Sequence, residues 1–301
     1  MTGRSYQPRF APLPAERFLG VHPIDTGTAE LTRDPADPDG YLLTVNGVPS
    51  SYVHADPRRL DFEYMQWFAS VLDALPAAGQ PVGSERPPGL DPDATGPLRV
   101  SHVGGAGCTM ARYLAATRPG SVQVVYELDA RLVTLARQAF GLKALAGVRL
   151  RGQDGRAGLA GAPPHVADVV IRDAFTGDAV PGPLATAEWL DAVRGTLRPG
   201  GYYLANVADG TRLTSARQEA ATARTRFDHV ALLAEPAQLR GRRFGNVVLL
   251  ASDTPLPAGA LTRRLASGAV RARYVDPARV AELTSGTRPL RDADLAVTGA
   301  R

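Results

Sequence analysis

The chain has 301 residues, enough for one large domain or one domain with a smaller companion, and its 44% hydrophobic and 21% charged residues fit a globular protein whose core needs no staples. A single cysteine, Cys108, excludes an intrachain disulfide and any multi-cysteine metal site. The net charge of +4 rests almost wholly on scattered arginines, with Lys143 the only lysine, and no basic run is interleaved with aromatics, so no nucleic-acid partner is expected.

No apolar run approaches the ~18 residues of a membrane span. The N-terminus, Met-Thr-Gly-Arg-Ser-Tyr, lacks the apolar stretch of a secretory signal. A cytoplasmic protein with no membrane partner is expected. The five histidines (His22, His54, His102, His165 and His229) are widely separated and show no metal-ligand spacing, so no metal is expected.

Residues 1–17 are proline-rich and polar and read as a loose arm. Short β-type runs follow at Phe18–Val21, Ala29–Thr32, Tyr41–Val45 and Val48–Val53. Asn46-Gly47, set between two apolar runs, is a hairpin turn signal. Phe62, Met65, Phe68, Ala69 and Leu72 recur at spacings of three and four and predict a helix over 58–75, with Trp67 in the core.

This N-terminal unit, 1–75, ends at a linker over 76–97 rich in proline and glycine. From 98 to 255, strands at Leu98–Val103, Val122–Tyr126, Val148–Arg151, Ala167–Arg172 and Tyr202–Val207 alternate with helices. Thr109 and Thr186 read as N-caps, and Gly141 as the stop of the helix that begins at Ala130. This alternation predicts an α/β fold with a parallel, doubly wound sheet behind the small N-terminal β unit. His229–Ala234 and Asn246–Ala251 are expected to pair antiparallel at its edge. Residues 256–301 read as a peripheral tail.

Ligands of such sheets bind outside the carboxyl ends of the strands, at the switch point. Four features fall there. The first strand runs into Gly104-Gly105-Ala106-Gly107, whose glycines let the backbone turn tightly and approach a ligand. Glu127 and Asp129 end the second strand, where a carboxylate accepts both hydroxyls of a ribose. Asp154-Gly155 follows the third, placed to accept from an adenine amine. Asp173 ends the fourth, placed to take a proton from a nucleophile.

A lone glycine loop is weak evidence. Met110 also stands where a dinucleotide fingerprint has its third glycine, which argues for an adenosine-like ligand over NAD. The alternative for each acid is a cap or a solvated loop charge; Asp129 is equally placed to cap the following helix. Tyr64 reads either as core packing or as a contact over the site, and Asp178 as a second, weaker acid near Asp173. Arg172 is unusual in a buried strand and calls for an acidic partner.

Taken in order, Asn46-Gly47-Val48, Asp61-Phe62-Glu63-Tyr64, Val103-Gly104-Gly105, Arg112, Glu127-Leu128-Asp129, Asp154-Gly155-Arg156, Asp173 and Leu197-Arg198-Pro199-Gly200-Gly201 resemble the spermidine synthase family of polyamine aminopropyltransferases. The resemblance runs from about Tyr41 to Ala251. It implies a class I methyltransferase-like, Rossmann-like sheet, decarboxylated S-adenosylmethionine as donor, methylthioadenosine as product, Asp173 as base, an amine acceptor and a homodimer.

The acceptor side departs from the family pattern. Thr176 stands where the family usually has an acid, Gly107 where its glycine loop carries one, and Met65-Gln66 where His-Glu follows the tyrosine. A diamine dication needs carboxylates to replace its water, so the acceptor is expected to differ. Two further readings share the fold: a methyltransferase using S-adenosylmethionine itself, and a non-catalytic nucleoside-binding homologue.

Overall fold

A computed structural model describes residues 11–76 and 96–298. The greater part of the linker predicted at 76–97 and of the N-terminal arm therefore lies outside the described residues. Strands β1 (Gly20–Ile24), β2 (Gly27–Asp34), β3 (Asp37–Val45) and β4 (Val48–His54) form an antiparallel sheet in the order 1-2-3-4. Asn46 and Gly47 hold φ of 49° and 79° at the turn between β3 and β4. Two positive φ values match the twist of the flanking strands, which is why Asn-Gly serves there.

The strand predicted at Phe18–Val21 is displaced. Pro14–Phe18 forms a 3-10 turn, with proline near its start and Ala15 fully buried, and β1 begins only at Gly20. Proline fixes φ near the helical value and so favours that turn. Helix α1 (Glu63–Ala74) is shorter than the predicted 58–75. The side chain of Gln66 donates back to the carbonyl of Leu60 at 2.9 Å, holding the approach segment outside the helix. Met65, Trp67, Phe68 and Leu72 form its buried face.

The main sheet holds β5 (Arg99–Gly104), β6 (Val122–Glu127), β7 (Val148–Gly152), β8 (Ala167–Asp173), β9 (Leu197–Asp209), β10 (His229–Ala234), β11 (Gly245–Ser252) and β12 (Arg273–Val275), in the order 12-10-11-9-8-5-6-7. The strands β7, β6, β5, β8 and β9 are parallel. Strand order reverses at β5, which lies between β6 and β8, so the switch point opens there. Helices α2 (Thr109–Thr117), α3 (Ala130–Ala139), α4 (Gly155–Ala160), α5 (Ala187–Thr196) and α6 (Thr214–Ala223) complete the doubly wound layers.

β10 and β11 pair antiparallel as predicted. The segment from 256 is not peripheral as the sequence suggests. Helix Ala258–Ser267 buries Leu261 and Leu265, one turn apart, and β12 joins the main sheet beside β10. A three-residue strand is too short to leave a periodic signal.

The two sheets are tied by named contacts. Leu31, Leu43 and Val53 of the N-terminal sheet share a core with Leu132, Val133 and Phe140 at α3. The buried guanidinium of Arg112 donates to the carbonyls of His54 and Phe140, both at 2.9 Å. Thr186 caps α5 through Trp189 N–H, as expected. Thr109 does not cap α2: its hydroxyl donates to the Tyr52 carbonyl at 3.0 Å and fastens the helix to β4. Among the described residues no helix is long and apolar enough to cross a membrane.

Candidate active site

Asp173 is the last residue of β8, half-buried at the switch point. Its Oδ1 accepts from the Asn206 amide on β9 at 3.0 Å, and its Oδ2 accepts from the Tyr64 hydroxyl at 3.1 Å. Three elements therefore converge on one carboxylate. Burial pushes Asp173 above the ordinary aspartate range, against the pull of the Asn206 and Tyr64 donors and the Arg172 charge. Burial and the adjacent carboxylate raise Tyr64 well above the ordinary tyrosine value, so it stays protonated and donates.

A pH experiment follows from these signs. If catalysis needs ionised Asp173, the acid limb of kcat/KM lies above the ordinary aspartate value. Tyr64→Phe removes a donor that favours the ionised form, so the limb moves to still higher pH. A limb that stays in place or moves to lower pH would contradict the arrangement.

The glycine loop sits directly against this acid. Gly104 has φ +79°, and a Cβ there would lie 2.4 Å from the Asp173 carbonyl. Only glycine permits both the turn and the approach. Gly105 has φ +97°, and a Cβ there would meet nothing within 4 Å, so its backbone borders open space. Glu127, half-buried at the end of β6, faces the same loop; burial raises its carboxyl, while the N–H groups of Asp129 and Ala106 pull it down. Met65, Phe68, Val103, Met110 and Ile171 line a small cavity beneath the loop that reaches Gly104, Gly105 and Asp173.

Other residues singled out in the sequence have different places. Asp129 is only 2% exposed, and its carboxylate is already engaged: Oδ1 accepts from Leu132 N–H at 2.8 Å, and Oδ2 from the backbone and hydroxyl of Thr26 at 2.7 and 2.9 Å. It caps α3 and ties it to the loop between β1 and β2, so its carboxylate is not free for the ribose role the sequence suggests. Gly107 is also a packing residue. Its N–H donates to Ser51 Oγ at 3.0 Å, and a Cβ would lie 2.8 Å from Ser51 Cβ.

Asp154 is exposed and caps α4 through Ala157 N–H at 2.8 Å. Gly155 is buried where a Cβ would strike Val103, so it serves close helix–strand packing. Asp178 is exposed in the loop after β8, and no hydrogen bond joins it to Asp173.

Cys108 and His102 are structural. Burial pushes the Cys108 thiol up to about 12, out of the reactive range. His102, on β5, is pushed down to about 4 by burial. Its Nε2 meets Gln123 Oε1 at 2.9 Å while the amide NH2 of Gln123 donates to the Ala111 carbonyl, which assigns the proton to Nε2. Asp37, Asp39 and His54 come together at the start of β3, but Arg59 pairs with Asp37 and His54 lies 3.4 Å from the same carboxylate.

Two residues central to the geometry were not singled out in the sequence. Asn206 is 1% exposed within the apolar run of β9; an amide there must find a partner, and that was the available signal. Glu219 on α6 is the partner of fully buried Arg172, at 2.9 Å. Arg172 also donates to the carbonyls of Leu184 at 3.1 Å and Asn206 at 2.7 Å. The cation next to Asp173 in sequence thus clamps the backbone of the residue that holds Asp173.

The strand order, the glycine turn after β5 and the acids at the ends of β6 and β8 define the methyltransferase-like class of doubly wound α/β proteins. Known structures narrow this. A probable spermidine synthase from Corynebacterium glutamicum ATCC 13032 is 37% identical, with 91% of this chain and 96% of that chain covered and a TM-score of 0.80. The spermidine synthase from Thermotoga maritima is 14% identical, with 93% of this chain and 87% of that chain covered and a TM-score of 0.55. A spermidine synthase in complex with the transition state analogue AdoDATO shares the fold at 14% identity and a TM-score of 0.54, with the same coverage of 93% and 87%.

No family model matches the chain, and no curated protein matches it. On the first of these likenesses the chain belongs to the spermidine synthase family.

Proposed function

We propose that the chain is an aminopropyltransferase-like enzyme that binds decarboxylated S-adenosylmethionine and transfers its aminopropyl group to an amine. The observation that carries this reading is the placement of Asp173: bonded to Tyr64 and Asn206, and in contact with the turn at Gly104. The open backbone at Gly105 would receive the donor, and the Glu127 carboxylate would accept its ribose hydroxyls. The relative solved with AdoDATO supports an adenosyl ligand in this fold.

In the transfer, the amine lone pair attacks the propyl carbon bound to the sulfonium. The carbon–sulfur bond breaks, and its electron pair stays on sulfur, leaving neutral methylthioadenosine. The amine proton passes to Asp173. A carboxylate whose pKa is raised by burial is a stronger base than an ordinary aspartate, and proton transfer of this kind contributes ~10²–10⁴ in rate. The chain's other contribution is orientation, holding nucleophile and carbon in line. A homodimer belongs to the same reading. Calorimetric titration with methylthioadenosine tests the donor site: binding is expected, and its absence overturns the proposal.

A further inference from the structure

The loop packed against the elements that hold Asp173 carries the wrong charge for a diamine. Between β10 and β11 the chain runs Glu235-Pro236-Ala237-Gln238-Leu239-Arg240-Gly241-Arg242-Arg243-Phe244. This loop is fastened to both elements that hold Asp173. At one side Gly241 abuts the loop after β9, where a Cβ would lie 2.8 Å from the Thr211 carbonyl. At the other, Arg243 pairs with Glu235 at 2.6 Å and reaches Glu63 at 3.7 Å, the residue before Tyr64. Asn206 lies three residues before Asp209, the last residue of β9, roughly 10 Å along the strand.

The loops after β8, β9 and β10 carry four arginines, Arg212, Arg240, Arg242 and Arg243, and two acids, Asp178 and Glu235. Glu235 and the nearby Glu63 both face Arg243. Asp209 is buried and accepts from the N–H groups of Gly210 and Ala216, both at 2.7 Å, so it is a structural acid. Arg212, Arg240 and Arg242 are exposed and have no ion-pair partner among the described residues. A rim of one sign raises the local concentration of the opposite sign and repels its own. A dication entering here would meet unpaired guanidinium groups with few carboxylates to replace its water.

We propose that the acceptor is an amine that also carries an anionic group, with the anion held by Arg240 and Arg242 and the amine presented to Asp173. The inference rests on the amine-transfer reading of Asp173 and deepens it by naming the acceptor class.

Two probes of equal length decide it: putrescine, and 4-aminobutanoate, in which a carboxylate replaces one ammonium. Each is titrated calorimetrically into the full chain saturated with methylthioadenosine. The expected result is at least about tenfold tighter binding of 4-aminobutanoate, the effect of one charge-assisted contact. That preference should vanish in Arg240→Gln/Arg242→Gln, with methylthioadenosine affinity unchanged and the melting curve confirming the fold. Equal or tighter binding of putrescine, binding of neither probe by the folded protein, or a preference that survives the double substitution overturns the inference. If methylthioadenosine itself fails to bind, the donor reading has failed, and the same probe ratio on the free protein still decides the charge preference.

Discussion

Asp173→Asn is expected to lower turnover by ~10²–10⁴, measured as methylthioadenosine released from decarboxylated S-adenosylmethionine with the amine the wild-type protein uses fastest. The substitution keeps the size of the side chain and an oxygen for the Tyr64 hydroxyl, which sits 3.1 Å from Oδ2. What it removes is the basic oxygen; the new NH2 faces the Asn206 amide, whose unpartnered Oδ1 can accept from it once that amide turns over. Methylthioadenosine affinity should hold, because the groups proposed to receive the nucleoside are the Gly104–Gly105 backbone and Glu127, not Asp173. Loss of turnover with intact binding separates a base from a structural residue. Unchanged turnover would remove Asp173 from the chemistry and favour a non-catalytic homologue.

The second large effect is on stability. Arg172→Met leaves Glu219 buried without its counter-charge and deprives the Leu184 and Asn206 carbonyls of their donor. Breaking a buried pair from one side costs about 3–5 kcal/mol. Glu219→Gln should cost less, since Arg172 keeps both carbonyls and an amide oxygen can accept from it. The double variant Arg172→Met/Glu219→Leu should recover part of the loss, because a well-packed apolar pair often replaces a buried ion pair at little cost. Full recovery is not expected while the Asn206 carbonyl lacks a donor. Denaturant unfolding of the four proteins checks the order. A neutral Arg172→Met would mean that the pair contributes little to holding β8, β9 and α6 together.

The fold was legible in this sequence where periodicity and turn chemistry were strong. The alternation of strands with helices from 98 onward pointed to the sheet type, and Asn46-Gly47 to the hairpin between β3 and β4. The ends of elements were less legible. Nothing in the apolar spacing of α1 told that Leu60 would tether Gln66 and delay the helix to Glu63. β12 was missed because three residues carry no period, and Leu261 and Leu265 only gain their meaning from the sheet they cover.

The site divides in a similar way. Gly104 and Asp173 stand out because each follows an apolar run at the switch point, and such runs can be read from sequence. Asp129 and Gly107, two and three residues past the ends of β6 and β5, read as parts of the same loops, yet Thr26 and Ser51, from a distant part of the chain, occupy them. Long-range partners decide whether a polar group is available, and they leave no local signal. Asn206 and Glu219 illustrate the converse: their roles exist only once β8, β9 and α6 are side by side.

The most direct test of the donor site compares methylthioadenosine with S-adenosylhomocysteine by calorimetry on the purified protein. The two share the adenosine and the sulfur and differ in the amino-acid tail. Preference for methylthioadenosine is the expected result and directs the search to amine acceptors. Preference for S-adenosylhomocysteine would contradict it and make the chain a methyltransferase on a spermidine synthase fold.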